Sequence, residues 1–399
     1  LPGRAGYVND TAAGEAIYLQ AVYRTRTKRG RESAVMLEKG KISCTQTVFL
    51  LANLVSATAI IFLPAITSRD AGRDSWLAPV ISTLPGIYLA LVIGALGKRF
   101  PGRTLIQYLQ SVLSAWPGKA AGLFYLFFFL HTSGVVIREF GELLVSLVMP
   151  NTPLIVFHSV ILLLCAWAIR GGLEVLARVL AVTWPFLVFL FVVSVLLAFN
   201  EMDFSYLFPV LENGMPPVLK SSLAPTAWRG EIIVLAMFLP FLTNPGKGKR
   251  CALISVFLIG IILTADAIAN TVVFGPSTAR LTFPTFSLIR MVSVSNFLER
   301  IESVMVALWV IGMFSKISLF YYVTVLGAAQ LFNLKDYRPL VFPMGVLLAA
   351  LSIQVAPNAG ELVDYITKPF PPFAYVFEYI IPTILLAISY FRKPQNLKT

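Results

Sequence analysis

From Ile42 onward the chain alternates long apolar runs with short polar connections. A helix that crosses ~30 Å of hydrocarbon takes about 20 apolar residues, and runs of that order recur ten times. They fall at residues 42–67, 76–96, 120–148, 153–169, 176–199, 216–242, 251–274, 301–332, 340–355 and 373–391. The pattern predicts an all-α polytopic membrane protein of about ten transmembrane helices. Two shorter segments stand apart. Residues 104–116, "TLIQYLQSVLSAW", alternate like an interfacial amphipathic helix on the cytoplasmic side. "TFPTFSLIRMV", in the long connection before the eighth run, predicts a short helix on or dipping into the interface.

Charge orients these runs. With the amino terminus in the cytoplasm, the inner connections carry Lys98, Arg99, Arg103 and Lys119, then Arg170 and Arg178, Lys247, Lys249 and Arg250, and Lys335 and Arg338. The outer connections balance Arg69 and Arg73 with Asp70 and Asp74, and Lys368 with Glu361 and Asp364. Only the connection holding Arg280, Arg290 and Arg300 departs from the positive-inside bias. Composition agrees: 13% of residues are charged and mean hydropathy is +0.78, against about 25% charged in a soluble domain. The net charge of +12 therefore reads as loop bias, not as a nucleic-acid surface, and no long basic run carries interleaved aromatics. Residues 1–38, with "RTRTKRGRES", read as a basic flexible tail or as sequence upstream of a natural start at Met36. Residues 39–393 form the membrane domain and 394–399 a cytoplasmic tail. Cys44, Cys165 and Cys251 have neither zinc nor redox spacing and read as small packed residues.

The sixth run is irregular. It contains "PTAWRGEIIVLAMFLPFLTNP", in which residues 232–242 are apolar without interruption. That is ~16 Å of helix, about half a bilayer. Arg229 and Glu231 flank Gly230 at its mouth. One reading is a complete span that starts at Trp228 with both charges at the water interface. The other is two half-helices meeting at mid-depth, because a break within lipid must line a cavity or be buried in protein. An inverted repeat of five plus five helices would break the first run too, in "NLVSATAIIFLP". There Ser56 and Thr58 offer hydroxyls and Ala57 keeps the bulk low; plain helix packing through small residues is the competing explanation.

Other charges lie within apolar runs. Lys316 is central in the eighth, where a lysine costs at least ~2.5 kcal/mol without a partner or a wet cavity. Glu231 is a candidate partner. Arg138, Glu139 and Glu142, with Arg300 and Glu302, read as a charged network near outer helix ends. His131 reads as a packed, hydrogen-bonded histidine, and Asp266 with Asn270 one turn later as part of a polar network. No nucleophile–base pair, phosphate-binding loop or metal-ligand spacing appears, so the sequence predicts no enzyme, no cofactor and no metal.

The order and spacing of several motifs carry a resemblance. They are "ANLVSATAIIFLP", "DSWLAPVI", "KRFPGRTLIQYL", "VVIREFGELL", "GGLEVLARV", "FPVLENGMPPVL", "GEIIVLAMFLPF", "FPTFSLIR", "FLERIESVMVALWVIGMFSKIS" and "LFNLKDYRPLV". The chain resembles the spore germination permease family, the B subunit of GerA-type germinant receptors, within the amino acid–polyamine–organocation superfamily. The likeness covers nearly everything after Met36. It implies a LeuT-like core with broken first and sixth helices and a ligand between the first, third, sixth and eighth. Matching positions are Ser56, Ala57, Thr58, Phe128, Thr132, Trp228, Gly230, Glu231 and Lys316. The family's first helix usually carries glycine at its break, and residues 42–71 contain none.

The resemblance implies a multi-pass subunit in the spore inner membrane, beside an A-type membrane subunit and a C-type lipoprotein subunit. Its ligand would be a small germinant of the amino-acid class. Amides near Ala57 would take the carboxylate, carbonyls near Trp228 with Glu231 would take the ammonium, and Lys316 would tune the site. The rival readings are a proton-coupled amino acid or polyamine transporter and an ion-conducting channel subunit without a ligand of its own.

Overall fold

The computed structural model describes residues 37–38, 40–291 and 301–391, without the side chains of Ile301 and Glu302. The expectations for residues 1–36, for Arg300 and Glu302 in a charge network, and for the carboxy-terminal tail lie outside them. From Glu38 onward the described chain belongs to one compact unit, and it contains helices and no strand.

Helix α1 (Cys44–Ala71) opens with a capping box. The Ser43 hydroxyl accepts from the Gln46 amide while Gln46 Oε1 accepts from the Ser43 amide, satisfying two donors that the first turn leaves free. The helix stops at Gly72, whose φ of 55° is left-handed. A 3₁₀ corner (Gly72–Trp76) turns the chain into α2 (Leu77–Arg99). Helix α3 (Leu105–Leu113) is the expected amphipathic segment, capped by Thr104 and Gln107, with Leu105, Ile106, Tyr108, Leu109 and Val112 buried. It precedes α4 (Ala115–Leu147), α5 (Leu154–Arg170) and α6 (Leu173–Leu197).

The sixth run folds as α7 (Met215–Ser221), α8 (Leu223–Gly230), a 3₁₀ turn (Glu231–Val234), the single turn α9 (Leu235–Phe238) and a final 3₁₀ turn (Leu239–Phe241). The irregularity falls at Gly230/Glu231, but the backbone tightens there and does not unwind into a gap. Beyond it lie α10 (Gly248–Phe274), the short α11 (Pro284–Met291), α12 (Ile301–Leu331), α13 (Val341–Gln354), α14 (Ala359–Thr367), α15 (Phe370–Tyr375), a π turn (Val376–Ile380) and α16 (Ile381–Phe391).

Among the described residues, seven helical stretches are long and apolar enough to cross a membrane. The first of them contains both α1 and α2. The shorter apolar α5 and the Arg338–Gln354 stretch, bent by 99° from α14, complete the ten expected spans. The most apolar windows of Cys44–Arg99 and Met215–Phe241 are 94% and 89% buried, against 28% for Leu173–Leu197. The first and sixth runs are therefore the centre of the protein and α6 belongs to its rim. Rim helices expose Leu84, Phe124, Trp167, Val182, Phe189 and Val346. An apolar belt of this kind suits hydrocarbon, not water.

Two sequence expectations are corrected here. Helix α1 is continuous through Ala57. With alanines on both sides of Thr58 and no glycine, the backbone has every reason to stay helical. The amides near Ala57 therefore remain committed to the helix. Cys44 and Cys251 also pair as a disulfide, their Cα atoms 5.6 Å apart, because α1 and α10 pack side by side from their first turns; Cys165 is a buried thiol. At the same end, Ile42 bridges the end of the sixth run: its amide donates to Phe241 O (3.0 Å) and its carbonyl accepts from the Thr243 amide (2.9 Å).

A buried ion pair at the tightened helix

Lys316, from the middle of α12, reaches across to the 3₁₀ turn. Its ammonium donates to both carboxylate oxygens of Glu231 and to Thr58 Oγ1 of α1, each at 2.8 Å. An ammonium has three N–H donors, so Lys316 is saturated. Lys316 and Glu231 are each 1% exposed. The structure thus brings together three residues read from the sequence, Thr58, Glu231 and Lys316, from three helices.

The other sequence candidates are placed differently. Ser56 Oγ donates back to Ala52 O within α1. Ala57 packs toward Gly312 of α12, so both residues serve helix contact. Phe128 of α4 stacks on Phe377 with ring centroids 4.8 Å apart. Thr132 is buried with its hydroxyl unpartnered. Trp228 is buried in α8. Gly230 is where another chain segment comes closest: a Cβ there would lie 1.9 Å from Glu378 Oε2.

Glu378 is the functional candidate that the sequence reading missed. It is fully buried in the π turn, and neither carboxylate oxygen has a partner. Two signals could have exposed it. It is an acid inside an apolar run, and Pro382 four residues later lacks the amide that would bond the Glu378 carbonyl. Tyrosines fix the segment beside α8: Tyr379 OH donates to Thr226 O at 2.9 Å and Tyr375 OH to Leu223 O at 2.6 Å.

The charge network of α4 is also corrected. Arg138 pairs with Glu142 on the next turn. Glu139, one residue along, instead interacts electrostatically with Lys316 and Glu231, and Glu378 interacts with the same two groups. Glu139 follows Arg138 directly and so points about 100° away from it, whereas Glu142 lies one turn on and meets its guanidinium. Arg229 turns away from Glu231. Its guanidinium donates to Ser82 Oγ (2.7 Å), Pro79 O (2.7 Å) and Val256 O (3.4 Å), which ties α8 to α2 and α10. His131 is hydrogen-bonded to Tyr365 OH at 2.5 Å.

Glu231 pairs with the one ammonium, and two further buried carboxyl groups, Glu139 and Glu378, lie within electrostatic reach of that pair. Buried carboxylates persist as ions only when paired, so this group has room for a further cationic partner. Among the described residues no cluster of three or more His, Cys, Asp or Glu is arranged to hold a metal ion. Above the site, a polar pocket of about 260 Å³ is lined by Ile66, Arg69, Asp70, Lys220, Ala224 and Lys368. Ile66 is eight residues beyond Thr58 on α1, a rise of ~12 Å. A larger apolar groove of about 730 Å³, between α5, α6 and α12, holds Trp167, Val179 and Phe314 and opens to the lipid belt, away from the ion pair.

About ten apolar spans packed around a charged centre give the chain a transporter fold, with the first helix unbroken. Solved structures share that fold. They include a Na⁺-coupled sialic acid symporter in a substrate-bound outward-open state (TM-score 0.63, 13% identity, covering 88% of this chain and 82% of the other). MhsT in complex with L-phenylalanine matches with a TM-score of 0.60 and 15% identity, covering 88% and 90% of the two chains. The chain belongs to the spore germination protein family, whose model matches residues 41–359. Among curated relatives, spore germination protein KB of Bacillus subtilis (strain 168) is 27% identical over 369 residues, 91% of this chain and 98% of that protein. Spore germination protein XB of Bacillus anthracis is 28% identical over 262 residues, 65% of this chain and 73% of that protein.

Proposed function

We propose that this chain is the B-type membrane subunit of a spore germinant receptor and that its ligand is a small amino acid held at the Lys316–Glu231 pair. Family membership supports the receptor role. The observation that carries the ligand class is the saturated ammonium facing an excess of carboxyl groups. A zwitterion fits between such partners. Its carboxylate replaces Glu231 on Lys316, and its ammonium is taken by Glu231 and Glu378. The Ala57 amides have no part in this, since α1 is unbroken there. Opening the pair releases α12 from the tightened turn, and the ligand favours that state through its differential contacts. The receptor works in the spore inner membrane, with an A-type membrane subunit and a C-type lipoprotein reading the change.

Thermal unfolding of the purified protein across an amino acid panel tests the reading. A stabilising amino acid is expected to lose its effect when either its amine or its carboxylate is removed, because each end has its own partner. If the deaminated acid stabilises equally well, the two-ended site is wrong. Saturable uptake of the same ligand into liposomes would replace the receptor reading with the transporter.

A further inference from the structure

A second polar cluster lies between α1, α10 and α11, and nothing in the ion-pair site uses it. Asp266 is 1% exposed. Its Oδ1 accepts from Thr285 Oγ1 at 2.7 Å and from Asn270 Nδ2 at 3.0 Å. Its Oδ2 has no partner, and neither has Asn270 Oδ1, although both atoms are buried. Thr285 also reaches the Ile60 carbonyl at 2.8 Å. That carbonyl is free for a reason written in the sequence: four residues on stands Pro64, which has no amide to close the helical bond.

The available donors are already used. Asn270 Nδ2 is shared among Asp266 O, Asp266 Oδ1 and Thr285 Oγ1. Among the described residues no lysine, arginine or histidine pairs with Asp266; its partners are Thr285 and Asn270. Arg290 of α11 is exposed, whereas Asp266 is buried. An orphaned oxygen of the Asp266 carboxyl group and the orphaned Asn270 Oδ1 beside it call for a positive centre that accepts oxygen ligands.

We infer that Asp266, Asn270, Thr285 and the Ile60 carbonyl form a binding site for a monovalent hard cation of the Na⁺ class. The donor set is oxygen only, which suits hard cations and excludes those that favour thiolate or imidazole. A single carboxylate balances one positive charge, whereas a divalent ion would remain half compensated in a medium that penalises net charge. The Pro64-freed carbonyl supplies a neutral ligand from the helix that also carries Thr58. Occupancy would hold α11 and α10 against α1.

The test is thermal unfolding of the full chain in N-methyl-D-glucamine chloride, with NaCl, LiCl, KCl or CaCl₂ replacing it at constant ionic strength. Na⁺ is expected to raise Tm by roughly 2 °C for each tenfold increase above its dissociation constant. Asp266→Asn is expected to abolish that dependence and Thr285→Val to weaken it. A wild-type Tm identical in all five salts would overturn the site and leave Asp266 as a protonated hydrogen-bond partner. A Na⁺ response retained in Asp266→Asn would place the ion elsewhere, and a response confined to Ca²⁺ would refute the monovalent assignment. The wild-type titration decides even if a variant fails to fold.

Discussion

Replacing Lys316 by methionine keeps most of the side-chain volume and removes the charge. At 2.8 Å and an effective dielectric of about 20, the lost attraction to Glu231 is ~6 kcal/mol before desolvation. Desolvating two ions costs several kcal/mol each, so the intact pair stabilises the fold little. The variant is different, because it leaves Glu231 buried with two acceptor oxygens abandoned and Thr58 without its donor. A loss of about 3–5 kcal/mol is expected, the range for orphaning one member of a buried pair. Lys316→Met combined with Glu231→Gln is expected to recover most of that loss, because no lone charge remains. Equilibrium unfolding in detergent, measured as a double-mutant cycle, supplies the comparison. The reasoning fails if Lys316→Met costs under about 1 kcal/mol, or if the two substitutions simply add.

Three further outcomes can be measured by the same unfolding assay. Gly230→Ala pushes a methyl group to 1.9 Å from Glu378 Oε2, and overpacking of this kind is expected to cost about 1–3 kcal/mol; full stability would show that Glu378 can withdraw freely. Arg229→Lys keeps the charge but loses the planar fork across Ser82, Pro79 and Val256, a loss of about 1.5–3 kcal/mol if one charged hydrogen bond goes unreplaced. Gly118→Ala brings a Cβ to 2.4 Å from the Gln110 Cα, which is backbone and cannot rotate away. It is expected to destabilise the protein clearly more than Gly246→Ala, whose nearest neighbour is a side-chain oxygen at 3.2 Å; equal effects would refute the close approach of α3 and α4.

Much of this architecture was legible because lipid allows so few solutions. Apolar runs must become helices, and an amphipathic segment with Thr104 three residues ahead of Gln107 must start where its capping box starts. Lys316 and Glu231 could be matched across 85 positions because neither charge is tolerable alone at that depth. What stayed hidden depended on rotation and packing. Arg138 takes Glu142 and not Glu139 because i,i+4 side chains meet and adjacent ones do not. Arg229 was read as one of two charges flanking Gly230, and nothing in the sequence says that its long fork satisfies itself on carbonyls and a hydroxyl of α2 and α10. Glu378 was read as one residue of a tenth span, since nothing local says that its turn widens beside Gly230. The first helix was expected to break because an inverted repeat would mirror the sixth, but its small residues at that level are alanines, which hold a helix.

Helix α1 carries its irregularity at Pro64, and that position connects the two polar centres. Thr58, which binds Lys316, and Ile60, which offers its carbonyl to Thr285, are two residues apart. In an α-helix that is ~3 Å of rise and ~200° of rotation, so the two contacts leave opposite sides of nearly the same level. One side is held by the ion pair from α12 and the tightened sixth run. The other is held by Asp266 and Thr285 from α10 and α11. A change at either centre therefore acts on a single turn of α1, just before the proline that interrupts its hydrogen bonding. Helix bending concentrates at proline, so the two turns from Thr58 to Pro64 are where release of one side can be felt on the other. A ligand that splits Lys316 from Glu231 and a cation that neutralises Asp266 would then compete or cooperate through α1 without touching each other. Such coupling has to be reciprocal: if Na⁺ changes the affinity for an amino acid, the amino acid must change the affinity for Na⁺ by the same factor.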